Sequence, residues 1–74
     1  MKEHNIMFRY ENILYLATFT PDSPKWNGIV HSDGVPFEIE YNEEYNEINV
    51  YPMYETVGGW YETDGNIILT KNIK

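Results

Sequence analysis

Seventy-four residues leave room for one domain with a modest core, and the absence of cysteine removes disulfides and thiolate zinc sites as sources of stability. A formal net charge of −7, from 12 carboxylates against 5 lysines and arginines, disfavours direct contact with nucleic-acid phosphates. The longest uninterrupted apolar run, Ile13 to Ala17, is far short of a membrane span, and the opening MKEHN lacks a signal-peptide apolar region. The expectation is a single cytoplasmic β domain over residues 1–74 with no membrane partner.

Residues 5–20, NIMFRYENILYLATFT, fit a helical stripe through Ile6, Tyr10, Ile13 or Leu14 and Ala17. They also fit two strands, with Ile6, Phe8 and Tyr10 before a turn at Glu11-Asn12 and Ile13, Tyr15 and Phe19 after it. The richness in Phe, Tyr, Ile and Thr favours strands, and because Glu-Asn is a weak turn signal a single bent strand is the remaining alternative. The next segment, TPDSPKWNG, carries two prolines and an Asn-Gly pair and reads as a loop. Trp26 lies within it, as a lid on one end of the core or as an exposed aromatic anchor for a partner; the lid is favoured.

Gly28 to His31 read as a short strand, and Ser32-Asp33-Gly34 as a tight turn into the stretch Val35 to Tyr51. That stretch alternates. Val35, Phe37, Ile39, Tyr41, Ile48 and Val50 fall on one side, and Glu38, Glu40, Glu47 and Asn49 on the other, as in a half-buried hairpin with an acidic outer face. A loop at Asn42 to Tyr45 would set Ile39 opposite Ile48, Phe37 opposite Val50 and Glu40 opposite Glu47. Facing carboxylates about 5 Å apart repel by roughly 1 kcal/mol in water. After Pro52 an aromatic segment bends at Gly58-Gly59. A second hairpin turn at Asp64-Gly65 then leads into the apolar run Ile67-Ile68-Leu69, which must face both sides of a sheet.

The predicted fold is all-β: a small antiparallel meander of five to seven short strands, forming a twisted sheet or a small closed barrel of SH3-like or OB-like size. His31, Ser32 and Asp33 are neighbours in a turn and cannot line up as nucleophile, base and orienter. Glu38, Glu40 and Glu47 are the candidates for the two carboxylates of a glycosidase-like acid–base pair, but an exposed strand face in so small a domain offers no walled cleft. The expectation is therefore a protein without enzymatic activity. His4 and His31 lack zinc-ligand spacing, and there is no Asp-x-Asp-x-Asp-Gly loop, so neither metal nor other cofactor is expected, weak calcium binding at Glu43 and Glu44 being the one alternative left open.

Charge distribution is more informative than its sum. Residues 26–70 hold nine carboxylates and no lysine or arginine, so the excess forms one block. Seven tyrosines, two tryptophans and three phenylalanines exceed what such a core can hold, and Tyr45 and Tyr51 lie among the glutamates. In overall character the chain resembles the small acidic inhibitors of phages and mobile elements, some of which imitate the charge of DNA. The resemblance implies a non-enzymatic inhibitor whose partner is a basic, nucleic-acid-binding protein. Glu38, Glu40, Glu43, Glu44, Tyr45, Glu47, Tyr51 and Trp26 would form the contact. The alternative is an assembly subunit, a homo-oligomer joined through its apolar C-terminal strand.

Overall fold

The computed structural model describes residues 2–63 and 65–72, and these form seven antiparallel strands. They are β1 (His4–Tyr10), β2 (Ile13–Phe19), β3 (Lys25–Ser32), β4 (Val35–Asn42), β5 (Glu47–Glu55), β6 (Tyr61–Thr63) and β7 (Leu69–Asn72). β1 and β2 form a two-stranded sheet. β3, β4, β5 and β6 form a second sheet in that order, with β7 also paired to β5. The all-β expectation holds, in the form of two packed sheets and not a closed barrel.

Residues 5–20 are two strands. Glu11 and Asn12 both take left-handed backbone angles, φ 51° and 65°, which suit the twist of a two-residue hairpin. Asn tolerates that region better than most residues, so a pair that is weak as a turn signal still closes the hairpin. Asp33 and Gly34, at φ 53° and 79°, make the same kind of turn between β3 and β4.

Ile6, Phe8, Tyr15, Ala17 and Phe19 point from the small sheet onto Phe37, Ile39, Tyr41, Ile48 and Val50 of the large one. Their period of two is the pattern of a strand with one face in a core. Phe37 is the centre of the aromatic packing, with Phe8 and Tyr15 at 4.9 Å and Tyr10 at 5.9 Å, all edge-on. Where β2 passes β3, the buried Ser32 hydroxyl donates to the Leu16 carbonyl at 2.7 Å and ties the sheets together.

Three local expectations are corrected. β3 begins at Lys25, inside the segment expected to be loop, because Trp26 pairs with Tyr41 and stacks on Phe19 at 5.5 Å and 5°. The β4–β5 register lies two residues from the expected one: Ile39 faces Val50, Tyr41 faces Ile48 and Glu40 faces Asn49. The cause is Asn46, which takes the left-handed conformation at φ 51° and moves the loop to residues 43–46, closed by its N–H on the Glu43 carbonyl at 3.1 Å. Because the shift is even, every side chain keeps its expected face. Finally, β7 does not fold back on β6. Both pair with the same edge of β5, β6 with residues 53–55 and β7 with residues 47–50. Asp64, half of the expected turn there, lies outside the described residues.

Candidate functional site

The outward side of the large sheet is built from alternate residues of β3, β4 and β5, crossing the strands in rows. Ile29, Glu38 and Tyr51 form one row, and Asn27, Glu40, Asn49 and Thr70 the next. Lys25, Asn42, Glu47 and Asn72 close the end nearest the 43–46 loop. The backbones of Glu38 and Glu40 are about 7 Å apart along β4, and that of Glu47 lies on the diagonal from Glu40 at about 7 to 8 Å. The three residues thus form a bent line on the sheet, with the Glu40 and Glu47 carboxylates drawn towards each other by the Asn49 amide between them.

Neutral donors hold that line in place. Asn27 donates to Glu38 at 3.2 Å. The Tyr51 hydroxyl donates to Glu40 Oε1 at 2.7 Å, and the Asn49 amide nitrogen lies 3.3 Å from the same oxygen and 3.1 Å from Glu47 Oε1. Thr70 donates to Asn49 Oδ1 at 2.9 Å, which leaves the Asn49 NH2 aimed at the two carboxylates. The opposite amide orientation would set oxygen against oxygen. Neighbouring negative charge also acts on Tyr51: its hydrogen bond to Glu40, then partial burial, then the fields of Glu40, Glu38 and Glu47 raise its pKa to about 12. Tyr51 therefore stays a protonated donor throughout the physiological range. Asn and Tyr fix the carboxylates without neutralising them, which a lysine or arginine in the same place would do.

At the loop end, Glu43, Glu44 and Tyr45 project from the sheet, Tyr45 being 67% exposed. The loop is braced. The Glu43 N–H reaches the Pro24 carbonyl at 2.8 Å, and the Glu44 N–H reaches Asn42 Oδ1 at 3.0 Å. The structure thus brings Glu38, Glu40, Glu43, Glu44, Tyr45, Glu47 and Tyr51 to one surface and its rim. Trp26 is not among them, for its ring packs against Phe19 on the core side of β3.

The turn residues 31–33 point apart. His31 sets its ring edge on Tyr61 at 5.7 Å, Ser32 donates inward to Leu16, and Asp33 is in the left-handed turn. An open cleft of about 410 Å³ lies between Lys2 and His4, the loop at residues 21–24, and Glu43 with Asn46. Its Ser23 hydroxyl is engaged with the Lys25 carbonyl at 2.7 Å. Among the described residues no group of three or more His, Asp or Glu side chains converges as a metal site, and no helix is long and apolar enough to cross a membrane.

Two exposed apolar surfaces were not singled out in the sequence. The β5–β6 tip carries Tyr54, Val57 and Trp60, with the Trp60 ring lying over Gly58. The outer side of the β1–β2 hairpin carries Met7, Leu14 and Leu16. Periodicity could have flagged the second, since Met7, Leu14 and Leu16 alternate with core residues. In the C-terminal run, Ile68 and Leu69 are half-buried against the core while Ile67 is exposed. No protein-family model, curated protein or solved structure is similar to the chain, so these surfaces stand on their own chemistry.

Proposed function

We propose that this protein is a non-enzymatic inhibitor whose acidic sheet face occupies a basic, nucleic-acid-binding groove on a partner protein. The observation that carries the reading is the support given to Glu38, Glu40 and Glu47. Amide and phenol groups hold the three carboxylates on one face, Asn27 at Glu38, Tyr51 at Glu40 and Asn49 between Glu40 and Glu47, a fixed cluster of negative charge of the sign that a phosphate backbone presents. A face serving only solubility gains nothing from fixing its carboxylates in a row. Preorganised charge, by contrast, saves the ordering of side chains when cations of a partner arrive. Glu43, Glu44 and Tyr45 extend the same sign of charge past the sheet and add an aromatic contact at its rim.

Capture from the cell that encodes the protein, or from its host, tests the reading. The expected main partner is a nucleic-acid-binding protein that releases DNA or RNA as it binds this chain, and whose association slows as salt rises. Replacing Glu38, Glu40 and Glu47 by Lys should abolish capture with the fold retained, since none of the three is in the core. Capture of the same partner by that triple variant would refute the proposal. A complex in which partner, nucleic acid and this chain coexist would refute it too.

A further inference from the structure

We propose that Asn27 is a site of spontaneous deamidation, gated by the Trp26 ring, and that its conversion unties Glu38 on the acidic face. Asn27 belongs to the Asn-Gly pair that reads as loop in the sequence and lies within β3 in the structure. The chain has eight asparagines, and the other seven are each followed by Ile, Val or Glu. Attack on an asparagine side chain by the nitrogen of the next residue is hindered when that residue is bulky and is unhindered when it is glycine. Selectivity for Asn27 is therefore written into the sequence, and the packing of the core accounts for the glycine. A Cβ at position 28 would fall 2.6 Å from Cζ2 of Trp26, so the ring that covers one end of the core requires glycine there.

The reaction needs only water. Hydroxide takes the proton of the Gly28 amide, and the nitrogen attacks Asn27 Cγ. The new N–Cγ bond closes a succinimide ring as the Cγ–Nδ2 bond breaks, and the amide group leaves as ammonia with a proton from water, which restores the hydroxide. A second water molecule then opens the ring. Cleavage at Cγ gives aspartate, and cleavage at the former main-chain carbonyl gives isoaspartate, in which the chain runs on through Cγ.

The fold sets the rate. Asn27 is exposed to water, but its pairing with Glu40 holds it extended, and ring closure needs its backbone to turn out of that conformation. Conversion therefore proceeds from molecules in which the first half of β3 has opened. β3 is an edge strand of its sheet, and the Ser32 bond to β2 lies at its far end. Trp26, stacked on Phe19 at 5.5 Å, is what holds the first half closed. One ring thus imposes the labile pair and guards it.

The product acts on the acidic face. Asn27 donates to Glu38 Oε2 at 3.2 Å, and a carboxylate in its place repels that oxygen. Isoaspartate also lengthens the backbone of β3 and breaks its register with β4. Where this face is the inhibitory surface proposed above, deamidation is an age-dependent change in the inhibitor; the chemistry itself does not rest on that reading.

Incubation of the full chain in mildly alkaline buffer made with heavy-oxygen water, followed by peptide mapping in a mass spectrometer, tests the proposal without any partner. The label should enter position 27 roughly tenfold or more faster than any other asparagine, with ammonia released in step and isoaspartate as the main product. Asn27→Gln, whose longer side chain closes the ring poorly, should stop the release. Trp26→Ala should raise the rate roughly tenfold or more, and Trp26→Phe, a milder truncation, should raise it less. In Asn27→Asp the Glu38 carboxyl resonance should move while that of Glu47 stays in place. Equal labelling of several asparagines would overturn the proposal. So would an unchanged rate in both Trp26 variants, or a Glu38 resonance indifferent to Asn27→Asp.

Discussion

Trp26 lies on Gly28, and that contact allows a test in which one substitution reverses its sign. A Cβ built on Gly28 would fall 2.6 Å from indole Cζ2 and 2.9 Å from Cη2, closer than real contacts permit. The ring cannot move away freely, because its other face stacks on Phe19. Gly28→Ala should therefore push the indole off its seat and destabilise the protein by about 1 to 2 kcal/mol, as overpacking does. Trp26→Ala alone removes a half-buried ring at the edge of the core, at a cost of about 2 to 3 kcal/mol, below the range for a fully buried aromatic. With the indole gone, the three atoms nearest the new Cβ, all of them Trp26's, are removed. Gly28→Ala then gains the usual advantage of replacing glycine within a strand, about 0.5 to 1 kcal/mol. The coupling between the sites is thus about 2 kcal/mol. Urea melts followed by circular dichroism would read it, since a slope near 1 kcal/mol per molar turns Gly28→Ala into a midpoint shift of about 1 to 2 M. Equal effects of Gly28→Ala in both backgrounds would show that the indole does not rest on that glycine, and the reasoning would fail.

Ser32→Ala should destabilise by about 1 to 2 kcal/mol, because it removes the bond to the Leu16 carbonyl where β2 and β3 meet; hydrogen exchange should report faster opening in both strands. Alkaline titration tests the Tyr51–Glu40 pair. The folded pKa of about 12 lies above the unfolded value of about 10. The folded state therefore holds this proton more tightly, and the resulting stability is complete below pH 10 and lost as pH rises towards about 12. Tyr51→Phe should remove that part of the alkaline transition, and Glu40→Gln should return the phenol towards its ordinary range in an ultraviolet titration. An unshifted Tyr51 signal in the parent protein would refute the pairing.

Alternation made the core legible. The period of two places Val35, Phe37, Ile39, Tyr41, Ile48 and Val50 on the inner face; the last five are buried, and Val35 at the start of β4 is half-buried against them. The acidic character of the outer face followed from the same period, but its construction did not. Whether Glu40 meets Glu47 or Asn49 depends on two residues of register, decided by a single left-handed Asn46 within a loop rich in polar residues. The hub role of Asn49 could not be read either, since Thr70 reaches it from a strand that local pattern assigned to another partner. Prolines at 21 and 24 and the Asn-Gly pair concealed the start of β3, where the stacking of Trp26 on Phe19 outweighed local preference.

The sharing of one edge of β5 by β6 and β7 also bears on how the chain folds. Each of the hairpins β1–β2, β3–β4, β4–β5 and β5–β6 joins neighbours in sequence and can form early and fast. The β5–β7 pairing is the exception, with Thr70 reaching back 21 residues to Asn49, and it must wait for the loop between them to close. Until then half of the longest strand shows an unpaired row of amides and carbonyls, the kind of surface on which two unfinished molecules can pair with each other. The four residues of β7 thus act as a late cover over that edge. The faster they dock, the more concentrated the newly made protein can be before it pairs with itself.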